Sequence, residues 1–118
     1  MNLRSAIARI EGAFAARIRQ GITIGGVTLR AADSDRTAFT QLLTMLNEAE
    51  RLGMLPPTTT IADRDGTPHA MPTEQVRARL VEYGGIYQSL WLRKLNLENA
   101  VKDAADDTAR AAIPITFA

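Results

Sequence analysis

His69 is the only histidine in the 118 residues, and the chain has no cysteine. A relay triad or a histidine metal site needs partners at defined spacing. The sequence around His69, set between Pro68 and Ala70, offers none, so His69 reads as an ordinary surface residue. The run DRDG at 63–66 matches the opening of a calcium loop only superficially. It lacks the later acidic ligands and the bidentate glutamate that closes such a loop, and Asp65-Gly66 reads as a turn. GITIGG at 21–26 is glycine-rich, but no lysine follows and no helix starts at the glycines, which argues against a phosphate cradle. Without cysteine there is no disulfide, thiolate zinc site or sulfur nucleophile. Phe14, Phe39, Tyr83, Tyr87, Trp91 and Phe117 mostly fall at helical spacing and read as core, not as a platform for stacking bases. The expectation is a protein that is not an enzyme, with no catalytic residue, no metal ligand and no cofactor.

The bulk numbers fit one soluble globular domain: 46% of residues are hydrophobic and 23% charged, near the average for such chains. The length suffices for a core without covalent staples. No apolar run approaches the roughly 18 residues of a membrane span, so no membrane partner is expected. Arginines at 4, 9, 17 and 19 interrupt the N-terminal segment, which argues against a secretory signal. The net charge of +1 hides an asymmetry. Arg4, Arg9, Arg17, Arg19 and Arg30 against Glu11 give +4 through residue 30, and the rest sums to −3. That excess could attract phosphate, but one arginine-bearing helix is a weak nucleic-acid signal. A solvated face is the expectation, with no nucleic-acid partner.

The elements that would carry any site follow from periodicity. Leu3, Ile7, Ile10, Phe14 and Ile18 step by three or four and form one helical stripe, closed by Gln20-Gly21. Ile22-Thr23-Ile24 and Val27-Thr28-Leu29 flank Gly25-Gly26 as a tight hairpin. Asp33, Ser34 and Asp35 supply the cap and first turn of a helix. Phe39, Leu42, Leu43, Leu46 and Ala49 mark its buried stripe, and Gly53 with Pro56-Pro57 ends it. Thr58–Ile61 and a short return strand around Pro68 make a second hairpin, whose return belongs at an edge. Thr73 caps a long last helix, with Val76, Leu80, Tyr83, Tyr87, Leu90, Leu95, Leu97 and Val101 in period and Ile86 and Trp91 alongside. Gly84-Gly85 marks a kink or a close backbone approach. The fold class is α+β: a small antiparallel sheet from two hairpins packed against helices, in the order helix, hairpin, helix, hairpin, long helix, apolar tail.

Residues 18 to 105 resemble a phage-encoded domain family of unknown function, found in tail-fibre and tail-fibre-associated proteins. The resemblance rests on GITIGGVTLRAADSDR, a hairpin leading through acidic residues into a helix, and on TTTIADRDGTPHAMPTEQV, a strand pair leading through a threonine into the last helix. The family's second hairpin carries a tryptophan before its turn; here TTTIAD fills that place and the single tryptophan, Trp91, lies in the last helix. The family has no assigned catalytic residues. The resemblance implies a structural component of a bacteriophage tail or tail fibre, resident in the virion and made in the bacterial host cytoplasm. Its implied partners are other tail or tail-fibre proteins and further copies of itself, as a trimer if it sits on a fibre.

On this reading the chain divides into residues 1–20, an amphipathic assembly helix; 21–108, a compact hairpin-helix-hairpin-helix module; and 109–118, an extended apolar tail. The expected partner-binding residues are Leu3, Ile7, Ile10, Phe14, Ile18, Ile113, Ile115 and Phe117, because apolar termini commonly add to a sheet edge or fill a groove. Two other functions stay open: a tail-fibre assembly chaperone, and a small nucleic-acid or regulator-binding module using the arginines of the first helix.

Overall fold

A computed structural model describes residues 1–118. The elements run α1 (Leu3–Arg19), β1 (Ile22–Ile24), β2 (Val27–Leu29), α2 (Asp33–Arg51), β3 (Thr58–Ala62), β4 (Pro68–Pro72), α3 (Thr73–Asp103) and α4 (Asp107–Ala111). The class is α+β and the element order is the expected one. The two hairpins form two separate two-stranded ladders. One backbone bond links them, from the Arg64 N–H to the Thr28 carbonyl at 2.7 Å.

In the first ladder Ile22 pairs with Leu29, Thr23 with Thr28 and Ile24 with Val27. The period of two sends Ile22, Ile24 and Leu29 into the core, while the Thr23 and Thr28 hydroxyls meet at 2.7 Å on the other face. Gly25 and Gly26 turn the chain with φ of 57° and 80°, the double positive φ of a type I′ turn. Gly21 is the stricter requirement. It has φ of 80°, and a Cβ there would lie 2.6 Å from the Leu29 carbonyl oxygen.

Helix α2 begins after Ala32, which has no side-chain acceptor. Asp35 reaches back instead, accepting the Ala32 N–H at 3.2 Å, so one of the expected acidic residues does the capping from inside the first turn. The other end closes as a Schellman motif: the Met54 N–H donates to the Ala49 carbonyl at 2.8 Å and the Gly53 N–H to Glu50 at 3.0 Å.

Strand β4 runs into α3 with no loop between them. The buried Thr73 N–H donates to the Pro57 carbonyl at 3.1 Å, and its hydroxyl meets that of Thr59 at 2.7 Å. Helix α3 then continues for 31 residues. Gly84 and Gly85 do not interrupt it, and no neighbour lies within 4 Å of where their Cβ atoms would stand. The glycine pair therefore marks open space at the helix surface, not a close approach within the chain.

Compactness divides the chain into Arg19–Tyr87 on one hand, and Met1–Ile18 with Gln88–Ala118 on the other. The division expected from the sequence lies instead at 20 and 108. The boundary between the compact units falls inside α3, because a helix face can change its packing environment without changing backbone conformation. In the continuous unit the buried apolar residues are Ile22, Ile24, Leu29, Ala31, Leu46, Ile61, Val76, Leu80 and Tyr83. Tyr83 meets Phe39 edge-on at 5.1 Å and donates its hydroxyl to the Arg30 carbonyl at 2.7 Å. The Arg36 guanidinium stacks 3.8 Å over the Tyr87 ring.

Candidate functional site

The residues expected to bind a partner lie in the unit built from both chain ends, where Ile10 is buried and Ile7, Phe14, Ile18, Ile113, Ile115 and Phe117 are half-buried. Ala6 and Ile10 of α1 and Leu97 and Val101 of α3 form a fully buried cluster, with Met1, Ile7, Ile113, Ile115 and Phe117 packed against it. Phe14 and Phe117 stack at 5.6 Å with an interplanar angle of 59°, and the Lys94 ammonium lies 5.5 Å from the Phe14 centroid. Ile18 is half-buried, and Leu3 alone among the eight is exposed. The two ends thus pack partly against each other within the chain, and each of the half-buried residues keeps some accessible apolar surface. An apolar stripe and an apolar tail can satisfy each other's burial as well as a partner's.

Polar groups lock this arrangement. Arg110, on α4, donates through Nε to the Val101 carbonyl at 2.9 Å. Its Nη1 donates to the Met1 carbonyl at 3.2 Å and to Asp107 at 2.7 Å. One guanidinium thus joins the first residue, the end of α3 and α4 through geometry that suits its planar fork. Arg93 pins the tail, Nε donating to the Thr116 carbonyl at 3.1 Å. The expected extended tail, 109–118, begins inside α4, whose first turn is capped by Asp106 accepting the Ala109 N–H at 2.7 Å.

His69 is better connected than its sequence neighbours suggest. The ladder pairs it with Ile61, which brings its Nε2 to 2.8 Å from Asp63 Oδ2. Asp63 Oδ1 accepts the Asp65 and Thr67 N–H groups, each at 2.9 Å. The histidine beside it, then the Thr67 N–H, hold the Asp63 carboxyl below the usual carboxylate range. With both oxygens engaged, the pair works as a lock on the 63–67 turn.

An apolar groove that the sequence reading missed lies on α2 and the segment after it. Met45, Leu46, Ala49, Leu52, Met54 and Pro56 line a groove of about 760 Å³ with a predominantly apolar wall. Met45, Leu52 and Met54 are among the most exposed large hydrophobic residues of the chain. At its rim Glu48 is held ionised by Arg51, whose guanidinium lowers the carboxyl below its ordinary value. Met45 and Leu52, seven residues apart, sit at the flank of the buried stripe. That second apolar flank was the available signal, and it was masked because Leu52 and Met54 also belong to the helix stop.

A second cavity, of about 430 Å³, lies between α2 and α3 and includes Arg36, Phe39, Leu43, Leu80, Tyr83 and Tyr87. Its one buried phenol is spoken for by Arg30, and burial pushes Tyr83 up to about 12, so it stands there as a neutral hydrogen-bond donor. No helix is long and apolar enough to cross a membrane, and no cluster of three or more histidine or carboxylate side chains could hold a metal ion. No protein-family model, curated protein or solved structure matches the chain.

Proposed function

We propose that this chain is a non-enzymatic attachment protein of a bacteriophage tail or tail fibre, acting in the virion by binding another tail protein. The observation that carries the binding role is the α2 groove: exposed Met45, Leu52 and Met54 around a largely apolar wall. Contiguous exposed apolar surface is a common mark of a protein–protein contact. The tail setting comes from the resemblance of the two hairpin-to-helix segments. The partner would present an apolar segment to the groove, with Glu48 and Arg51 at the rim.

Quantitative mass spectrometry of purified particles tests the setting, and recovery at structural copy number is expected. Absence from particles, with capture of a tail-fibre protein from infected cells, would replace it with an assembly-chaperone role. The flexible thioethers of Met45 and Met54 favour that second reading, because methionine surfaces adapt to varied clients. Leu52→Glu is expected to abolish capture in either case. Capture unaffected by that change would remove the groove from the function.

A further inference from the structure

Helix α3 carries apolar residues on two faces: one is buried inside the chain, and the other is exposed, with Val81 and Gly84 also lining the α2–α3 cavity. The exposed face bears Val81, Trp91, Leu92 and Leu95, between 37% and 63% accessible. At about 100° per residue these share one stripe with Gly84, Gly85 and Gln88, and none of the seven positions is charged. Val81, Gln88 and Leu95 are a heptad apart, with the Gly84-Gly85 and Trp91-Leu92 pairs between them. This is the spacing of a helix-pairing seam.

The order of sizes along the seam identifies its occupant. Val81 and Leu95 stand equally far on either side of Gln88, and so do Gly84-Gly85 and Trp91-Leu92. We propose that α3 pairs antiparallel with α3 of a second copy of this chain, about a two-fold axis at Gln88. In that arrangement Val81 faces Leu95 of the second copy. The open space over Gly84 and Gly85 receives Trp91 and Leu92 of the second copy, and Gln88 faces its own counterpart. Bulk against void on both sides of one axis is what an isologous interface requires. A parallel pairing would instead set glycine against glycine and leave Trp91 opposite Trp91. The glycines let the two backbones approach at the near end of the usual 8–10 Å interaxial range. The inference rests on α3 alone and not on the tail-protein reading. Failure here would leave capture through the α2 groove intact, and the reverse also holds.

The full chain provides the test. Sedimentation velocity from about 1 to about 500 μM should show a reversible monomer–dimer equilibrium. Leu92→Glu should raise the dissociation constant by about tenfold or more with an unchanged far-ultraviolet circular dichroism spectrum. The natural sequence has no cysteine, so single cysteines report the geometry directly. Gln88→Cys should form a covalent dimer on mild oxidation. Val81→Cys mixed with Leu95→Cys should give the mixed dimer. Neither of those two should cross-link to itself, because like positions would stand about 21 Å apart along the helix, beyond disulfide reach. A monomer at every concentration, a trimer, or efficient self-cross-linking of Val81→Cys would each overturn the proposal.

Discussion

The two units of this chain are held together by different means. Arg19–Tyr87 is continuous, and its order comes from backbone geometry: two ladders, a glycine turn, and a Schellman closure. The unit formed by Met1–Ile18 and Gln88–Ala118 has no strand. It depends on one apolar cluster and on arginines that donate to main-chain carbonyls. Its two segments must also be brought together across the whole intervening chain, which carries a loop-closure cost. The contrast teaches that local sequence signals specify the first unit, whereas the second also needs contacts between residues about a hundred positions apart, such as Arg110 and Met1.

The largest expected effect attacks the second unit. Ile10→Ala removes a fully buried side chain from its cluster and should cost about 3–4 kcal/mol. Amide exchange at Ala6–Ile10 and Leu97–Val101 should report loosening of that unit, while amide exchange protection of Ile22–Leu29 persists. If both signals are lost together, the two units unfold as one and the contrast fails. Gly21→Ala attacks the first unit. A left-handed residue whose Cβ would strike the Leu29 carbonyl should cost about 2 kcal/mol or more, with the reverse pattern: ladder exchange accelerates first.

A smaller loss is expected from Arg110→Met, which keeps much of the stem but removes the donors to Val101 and Met1. About 1–2 kcal/mol should go, read as a lower urea midpoint with faster exchange near the N-terminus. Two titrations sharpen the comparison from the side of the first unit. Tyr83 has its value raised from 10.0 to about 12, so its share of stability is complete below pH 10 and disappears as pH rises towards 12. Phenolate absorbance should show one of the two tyrosines ionising that late. Asp63 has its value lowered, so its contribution is present above the ordinary carboxylate range and is lost as pH falls through the depressed value. Exchange at the Asp65 and Thr67 amides should accelerate in that acid window, and Asp63→Ala should abolish the pH dependence.

Legibility in the sequence followed the same division. Gly25-Gly26, Gly53 and the stripe through Leu46 act within a few residues, and so the hairpins and α2 could be read almost to their ends. The apolar residues of α1 and the tail were also visible, but periodicity records that a face wants cover and not what covers it. The same ambiguity explains Trp91 and Leu95, which fit a helical period and were expected in the core, yet lie on the accessible side of α3. His69 needed the strand register to find Asp63, six positions earlier. Helix α4 had a local sign in Asp106, a good cap, but its alanine-rich run followed a segment that reads as solvated.

The direct junction of β4 with α3 has a consequence of its own. Pro72 ends the strand and Thr73 begins the helix, so the two are geared together with no slack between them. Sliding the second hairpin by one position would turn the helix by about 100° about its axis. Val76 and Leu80 would swing towards solvent, and side chains now facing outward would swing in. The five-residue bend around Asp63 therefore sets the phase of a helix that extends for 31 residues beyond it.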